Sequence, residues 1–318
     1  MKKKYFSKLI YYLSILTFIY LTLILVRNLI IDSYISRKST QNIKEIYYKD
    51  NNINSEGSEK IEVETTEIVK QEEPKEYIKF EDLLKVNPDI KGWINIEGSN
   101  IDYPVLQQSK DLDKKIYFYI DHDCNKAKTR YGSIFLDNSC NLQETSKNIL
   151  IHGHSMRDGT MFADLLKYQN EDFCKKASII KFDTPEKLTE FKVISVFKAD
   201  ICPEDGKVFN YLISDFPSEE AFLEFVYNIK IRSLYKFPVD ISKNDNLITL
   251  STCSYEFENS RMVVVAREVR EGEESFVDIE KIERNKNPLM PDKYYEKRGG
   301  KPPKYPDFKT AVVNNKQS

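Results

Sequence analysis

Asn246-Leu-Ile-Thr-Leu-Ser-Thr-Cys253 and Arg261-Met-Val-Val-Val-Ala-Arg-Glu268 are two runs rich in β-branched residues, separated by a connection that carries Ser, Glu and Asn. Such flanks around such a link predict two strands joined by a loop, with Cys253 closing the first strand and Arg261 opening the second. If the strands pair antiparallel, the thiol and the guanidinium lie side by side at one rim of a sheet. A permanent cation beside a thiol favours the thiolate, and the rim gives access. For an arbitrary Cys/Arg pair the plainer outcome is a small buried thiol and a solvated cation, so a second signal is needed.

Lys147-Asn-Ile-Leu-Ile-His-Gly-His154 supplies it: a short apolar run that breaks at Gly153, the pattern of a buried strand entering a loop. Two of the chain's three histidines, His152 and His154, sit there. A nucleophilic Cys needs a proton-transfer partner near neutral pH, and imidazole is the usual one. Cys253, a histidine at 152 or 154, and Arg261 therefore form a candidate catalytic constellation. Spacing does not choose between the histidines, which point the same way on an extended chain. A zinc site built from His152, His154 and Cys253 is the rival, and it leaves Arg261 without a role.

Around this constellation the composition excludes several classes. Lys and Arg number 48 against 50 Asp and Glu, a balance that suits neither a general nucleic-acid binder nor a polyanionic tail. Five cysteines without a Cys-x-x-Cys pair argue against a zinc ribbon or a thioredoxin-type site. Cys124, Cys140, Cys174 and Cys202 read as inert thiols, although Cys124 and Cys140 could pair under oxidising conditions.

The ends of the chain read differently from its middle. Residues 1–8 carry four lysines, and Leu9 to Val26 is an uncharged apolar run of about the length that spans a bilayer. The basic flank predicts a cytoplasmic N-terminus and an external remainder. A cleaved signal needs small residues, yet the first Ala is Ala127, so residues 9–31 are expected to be an uncleaved anchor. The polar segment 32–76 reads as a flexible tether or fraying helix, and folded structure is expected from Tyr77 to Arg270. Residues 271–318, rich in Lys, Glu and Pro, read as a disordered extension.

Within the folded part, Phe80, Leu83, Leu84 and Val86 have helical spacing that stops at Asn87-Pro88. Gly92-Trp-Ile and Ile101-Asp-Tyr-Pro-Val-Leu read as strands joined by a turn at Gly98. Tyr117–Ile120, Gly132–Leu136, Ile179–Phe182 and Glu190–Ala199 read as further strands, and Asp158 to Lys167 as a short helix. His122, between Asp121 and Asp123, reads as part of a solvated turn. Ser218 caps a predicted helix with Phe222, Phe225, Val226 and Ile229 on one face.

Thr249-Leu-Ser-Thr-Cys253 with Arg261 eight residues on, together with His152-Gly-His-Ser-Met156, resembles the signature of the sortases, the cell-wall transpeptidases of Gram-positive bacteria. Gly153-His-Ser-Met-Arg-Asp-Gly-Thr-Met-Phe162, the helix before the Cys strand and the Gly-Trp-Ile … Ile-Asp-Tyr-Pro-Val block are similar to class B. The resemblance covers roughly Tyr77 to Arg270 and implies a mainly β fold with helices: a closed barrel of about eight strands, an N-terminal helix and a helix before the Cys strand.

By the same resemblance His154, immediately after Gly, is the acid/base. Cys253 is the nucleophile, Arg261 the oxyanion stabiliser, and His152 a wall or orienting residue. Leu250, Ser251 and Thr252, leading to Cys253, and Glu256, just after it, are expected to contact substrate. The implied activity is cleavage of a C-terminal sorting motif of secreted proteins through a Cys thioester and transfer to an amine of a peptidoglycan precursor or a pilin lysine, with no cofactor and no metal. Pilin polymerisation, simple peptide hydrolysis and a catalytically idle, membrane-tethered binding module are the alternatives.

Overall fold

The computed structural model describes residues 2–53, 80–109, 117–143, 146–202 and 208–316. Its centre is built from eight strands: β1 (Ile90–Ile96), β2 (Asp102–Leu106), β3 (Ile134–Leu136), β4 (Asn148–His152), β5 (Ile179–Asp183), β6 (Leu188–Asp200), and, after a two-residue strand β7 (Tyr235–Lys236), β8 (Leu247–Cys253) and β9 (Ser260–Glu268). These eight close into a barrel in the order β1-β2-β3-β4-β8-β9-β6-β5, as expected. Closure leaves no unpaired edge. The pairs β2–β3 and β4–β8 are parallel and the other pairs in the described register are antiparallel. The barrel strands are apolar along most of their length and fill the interior. Ile94 and Ile96 of β1, Val193 of β6, Leu250 of β8 and the run Met262–Ala266 of β9 all belong to the barrel core.

Helices surround the barrel. α1 (Lys2–Val26) is followed by a π-helical segment, Arg27–Ile31, and by α2 (Asp32–Ile53). Tyr5–Val26 is the one helix among the described residues long and apolar enough to cross a membrane, and its side chains are exposed. α2 overturns the expectation of a tether for its part of 32–76. Ile43 and Tyr47 are buried in a second apolar cluster on the outside of the barrel with Phe80, Leu83 and Trp93. Tyr47 stacks on Trp93 with ring centroids 4.1 Å apart, and Lys44 and Tyr48 both reach Asp102. Two anchors one turn apart were too sparse to stand out in a polar stretch. The rest of the expected tether and the Tyr77 start of folding lie outside the described residues.

α3 (Glu81–Val86) ends at Asn87, as its spacing predicts. Tyr117–Ile120 is not a strand: Phe118–Ile120 forms a single 3-10 turn, and Asp158 to Lys167 contributes only the start of a 3-10 segment, Ala163–Gln169. α4 (Glu171–Lys176) follows, capped by Asn170. α5 (Glu219–Arg232) has the Ser218 cap, which accepts from Ala221 N–H, and buries the expected Phe222, Phe225, Val226 and Ile229.

The segment after Arg270 is also ordered against expectation. Val277 and Ile282 enter the main core, and β10 (Glu283–Arg284) pairs with β7. α6 (Asp292–Arg298) and α7 (Phe308–Lys316) follow, with the Tyr227 hydroxyl donating to Pro306 C=O from α5. A few apolar residues separated by charged ones suffice here because the barrel and α5 already present the surface they cover.

Candidate active site

Two strand ends build the site. β8 and β9 pair so that Cys253 lies directly opposite Arg261, which sets the thiol and the guanidinium side by side on one face. On the other flank of β8, His152 of β4 is level with Ser251, and Gly153 N–H donates to Ser251 C=O at 3.2 Å. His154 follows two residues beyond β4 and lines the same cavity as Cys253. Imidazole, thiol and guanidinium thus come from three adjacent strand ends, and all three line one cavity of about 170 Å³. Apolar Ile120, Phe135, Ile201 and Leu212 make up much of the remaining wall.

Gly153 is required by space. A Cβ there would meet Ile134 Cδ1 at 2.4 Å and the Phe162 ring at 2.9 Å, so the chain between the two histidines passes where no side chain fits. The loop after His154 is tied down by Phe162 N–H to His154 C=O at 2.8 Å and by the Tyr255 hydroxyl, which donates to Ser155 C=O at 3.0 Å. Tyr255 belongs to the connection that follows Cys253, so the two loops carrying imidazole and thiol are bonded to each other.

The hydrogen bonds define the tautomer of His154. Its Nε2 lies 2.7 Å from Ile120 C=O, which can only accept. Nε2 therefore carries the hydrogen, and Nδ1 is left with the lone pair that exchanges protons. Arg261 donates from Nη1 to Ser260 C=O at 3.1 Å and has no carboxylate partner among the described residues. Most of its five N–H donors remain open to an incoming oxyanion. Cys253 is half-buried, whereas Cys124, Cys140 and Cys174 are buried. Burial pushes those three thiols up, Cys140 to about 11 and the other two to about 12, which keeps them protonated and inert.

The residues expected to contact substrate divide. Ser251 and Thr252 line the cavity, Ser251 Oγ sharing a 2.8 Å hydrogen bond with the Tyr211 hydroxyl and Thr252 Oγ1 donating to Gly153 C=O at 2.7 Å. Leu250 does not reach it: it lies further down β8 from the strand end that carries Cys253, fully buried in the barrel core. Glu256 is also outside the cavity lining, turned toward an ion pair with Lys198.

Several wall residues were not legible in the sequence. Asp137, just past β3, accepts from His152 Nε2 at 2.9 Å, and the Tyr117 hydroxyl lies 3.3 Å from the same carboxylate oxygen. Burial opposes the Asp137 charge, but hydrogen bonds from His152 and Ser139 outweigh it and hold this carboxyl well below the usual carboxylate range. Tyr211 is buried, and burial pushes its phenol up to about 12, so it stays a neutral hydroxyl. No local motif marks these residues, because each meets the site through pairing of segments distant in the chain.

Comparison with known proteins agrees with this geometry. A family model described as a sortase domain matches residues 94–269. Sortase B of Listeria monocytogenes is 37% identical over 185 residues, 58% of this chain and 71% of that protein. Sortase B of Staphylococcus aureus is 34% identical over 193 residues, 60% of this chain and 75% of that protein. The solved Staphylococcus aureus sortase B–substrate complex superposes with a TM-score of 0.61 at 28% identity, covering 76% of this chain and 99% of that one. A closed barrel of this topology, with thiol, imidazole and guanidinium at one rim, places the chain in the sortase family as a class B cysteine transpeptidase.

Proposed function

We propose that this enzyme cleaves a C-terminal sorting motif of secreted proteins by Cys253 attack and passes the acyl group to an amine of a peptidoglycan precursor. The observation that carries the reading is the common cavity of Cys253, His154 and Arg261. The Cys253 thiolate attacks the scissile carbonyl carbon, and the oxygen that becomes negative is met by the open donors of Arg261. One such donor is typically worth about 3 kcal/mol in the transition state. Protonated His154 then gives its Nδ1 proton to the departing amine as the C–N bond breaks and the thioester remains. Attack of the second amine forms the new amide and returns the Cys253 thiolate. Ser251 and Thr252 border the acyl group. The substrate-bound Staphylococcus aureus relative supports a peptide in this groove.

Tyr5–Val26 anchors the chain in the membrane in this reading, with the lysine-rich end in the cytoplasm and the barrel outside. The test is incubation of the full chain with sorting-motif peptides and an amine, followed by mass spectrometry. A Cys253 thioester and an amide product are expected, and Cys253→Ala must form neither. Replacing His154 by Ala should abolish thioester formation; if His152→Ala does so and His154→Ala does not, the acid/base assignment is wrong. Protease added to intact cells should digest the barrel, and a barrel protected until lysis would refute the orientation.

A further inference from the structure

His152 is built into the cavity wall more elaborately than packing demands. Its ring packs in a cluster with Tyr117 and Phe135, whose centroids are 5.9 and 5.5 Å from it and 5.7 Å from each other, and these contacts help to hold the imidazole. Its Nε2 is bonded to the Asp137 carboxylate, itself mostly buried and ionised, so Nε2 carries the hydrogen. Among the described residues nothing meets Nδ1. An imidazole with a carboxylate behind one nitrogen and an unpartnered lone pair on the other, in the wall of a cavity that holds a nucleophilic thiol, has the arrangement of a base.

The two histidines differ in what stands behind them. His154 is backed by a neutral carbonyl, that of Ile120, and His152 by an anion. A carboxylate stabilises the imidazolium that forms when a proton is taken up, and a carbonyl does so less. The ionisable groups that line the cavity with His152 are Tyr117, Tyr211, Cys253, Arg261 and His154, and Asp137 is bonded to its Nε2. Both phenols are held neutral by burial, which leaves Asp137 the one anion bonded to the ring among the described residues.

We propose that His152, positioned by Asp137, is a second proton acceptor of the site and takes the proton of the amine that resolves the Cys253 thioester. The amine nitrogen bonds to the thioester carbon, the C–S bond breaks, and the sulfur leaves as the Cys253 thiolate. The proton lost by the amine passes to His152 Nδ1, where the Asp137 carboxylate balances its charge. His154 serves the first half-reaction and His152 the second, and loss of the His152 proton to solvent with uptake of one by His154 resets the site. The inference rests on the Cys253 thioester proposed above.

The experiment separates the two half-reactions in the full chain. Thioester formation is followed without amine, and the isolated thioester is then mixed with a glycine or lysine amine, or with hydroxylamine, which is unprotonated at neutral pH. His152→Gln keeps a hydrogen-bond donor for Asp137 but accepts no proton. It is expected to slow aminolysis by on the order of a hundredfold more than thioester formation, the lower end of what a general base contributes. Asp137→Asn should show the same split at about tenfold, and hydroxylamine should rescue both variants toward the wild-type rate. A wild-type rate of aminolysis in His152→Gln overturns the proposal. So does an equal loss in thioester formation, aminolysis and hydroxylaminolysis, which would make His152 a wall only. A wild-type chain that forms no Cys253 thioester fails at the first step and refutes the underlying reading instead.

Discussion

Arg261 and Arg267 stand six residues apart on β9, yet they are treated in opposite ways. Arg267 is fully buried, and its guanidinium is clasped by both oxygens of Glu273 at 2.7 Å, with Nη1 also donating to Glu268 C=O. Lys192 joins the same Glu273, and Arg270 forks onto Asp245 beside it. Arg261 is half-buried at the other end and has one backbone carbonyl for a partner. A guanidinium whose two terminal nitrogens are both held by a carboxylate ties segments together. One whose donors are kept open, beside a thiol, is available to a charge that appears only during reaction. The same residue type serves stability at one rim of the barrel and chemistry at the other.

The largest effect that would sharpen this contrast is on turnover. Arg261→Ala should lower kcat/KM for thioester formation by about 10²–10³-fold while leaving the melting temperature nearly unchanged. Arg261→Lys should recover only part, because an ammonium lacks the planar fork. If Arg261→Ala instead unfolds the barrel, the contrast is broken. At the other rim Arg267→Ala should cost about 3 kcal/mol in denaturant unfolding, since it leaves Glu273 without its main partner, with activity per folded molecule retained.

A pH prediction follows from the same carboxylate. The Arg267 fork, aided by Lys192, holds Glu273 well below the usual carboxylate range. Its folded value is thus below its unfolded one. The stability it contributes is fully present above the unfolded value, about 4.3, and is lost as pH falls toward the folded one. Acid unfolding of Glu273→Gln should therefore show a shallower decline below about pH 4 than the parent; equal slopes would remove Glu273 from the account.

The smallest effect belongs to the C-terminal segment. Lys297 of α6 donates to Glu256 C=O, and Lys198, which pairs with Glu256, lies over the Tyr294 ring. Both contacts brace the connection between Cys253 and Arg261. Lys297→Ala should cost at most about 1 kcal/mol, with a fall in turnover of about twofold as the connection loosens. No change in either would make α6 a bystander.

Much of this was readable in the sequence and some was not. The strands around Cys253 and Arg261, the hairpin at Gly98 and the capped helix from Glu219 are local patterns, and they fold as they read. The docking of α2 and of residues 271–316 went unread because each depends on a few anchors, Tyr47 on Trp93 or Val277 and Ile282 in the core, whose value lies in a surface made by distant residues. Leu250 and Glu256 lie outside the cavity lining for a related reason. Adjacency to Cys253 in the chain is not adjacency in space: Leu250 sits deeper in the barrel, and Glu256, in the connection after β8, turns to Lys198.

From the order of residues alone came the strand ends that carry a thiol, two imidazoles and a guanidinium, since periodicity and turn chemistry act over a few neighbours. Tertiary structure decided the rest. Barrel closure set β4 beside β8, brought Asp137 behind His152 and Ile120 behind His154, and left Arg261 open while Arg267 forks onto Glu273. Hydrogen-bond partners reach only a few ångströms, so they are known only once strands far apart in the chain have been paired in register.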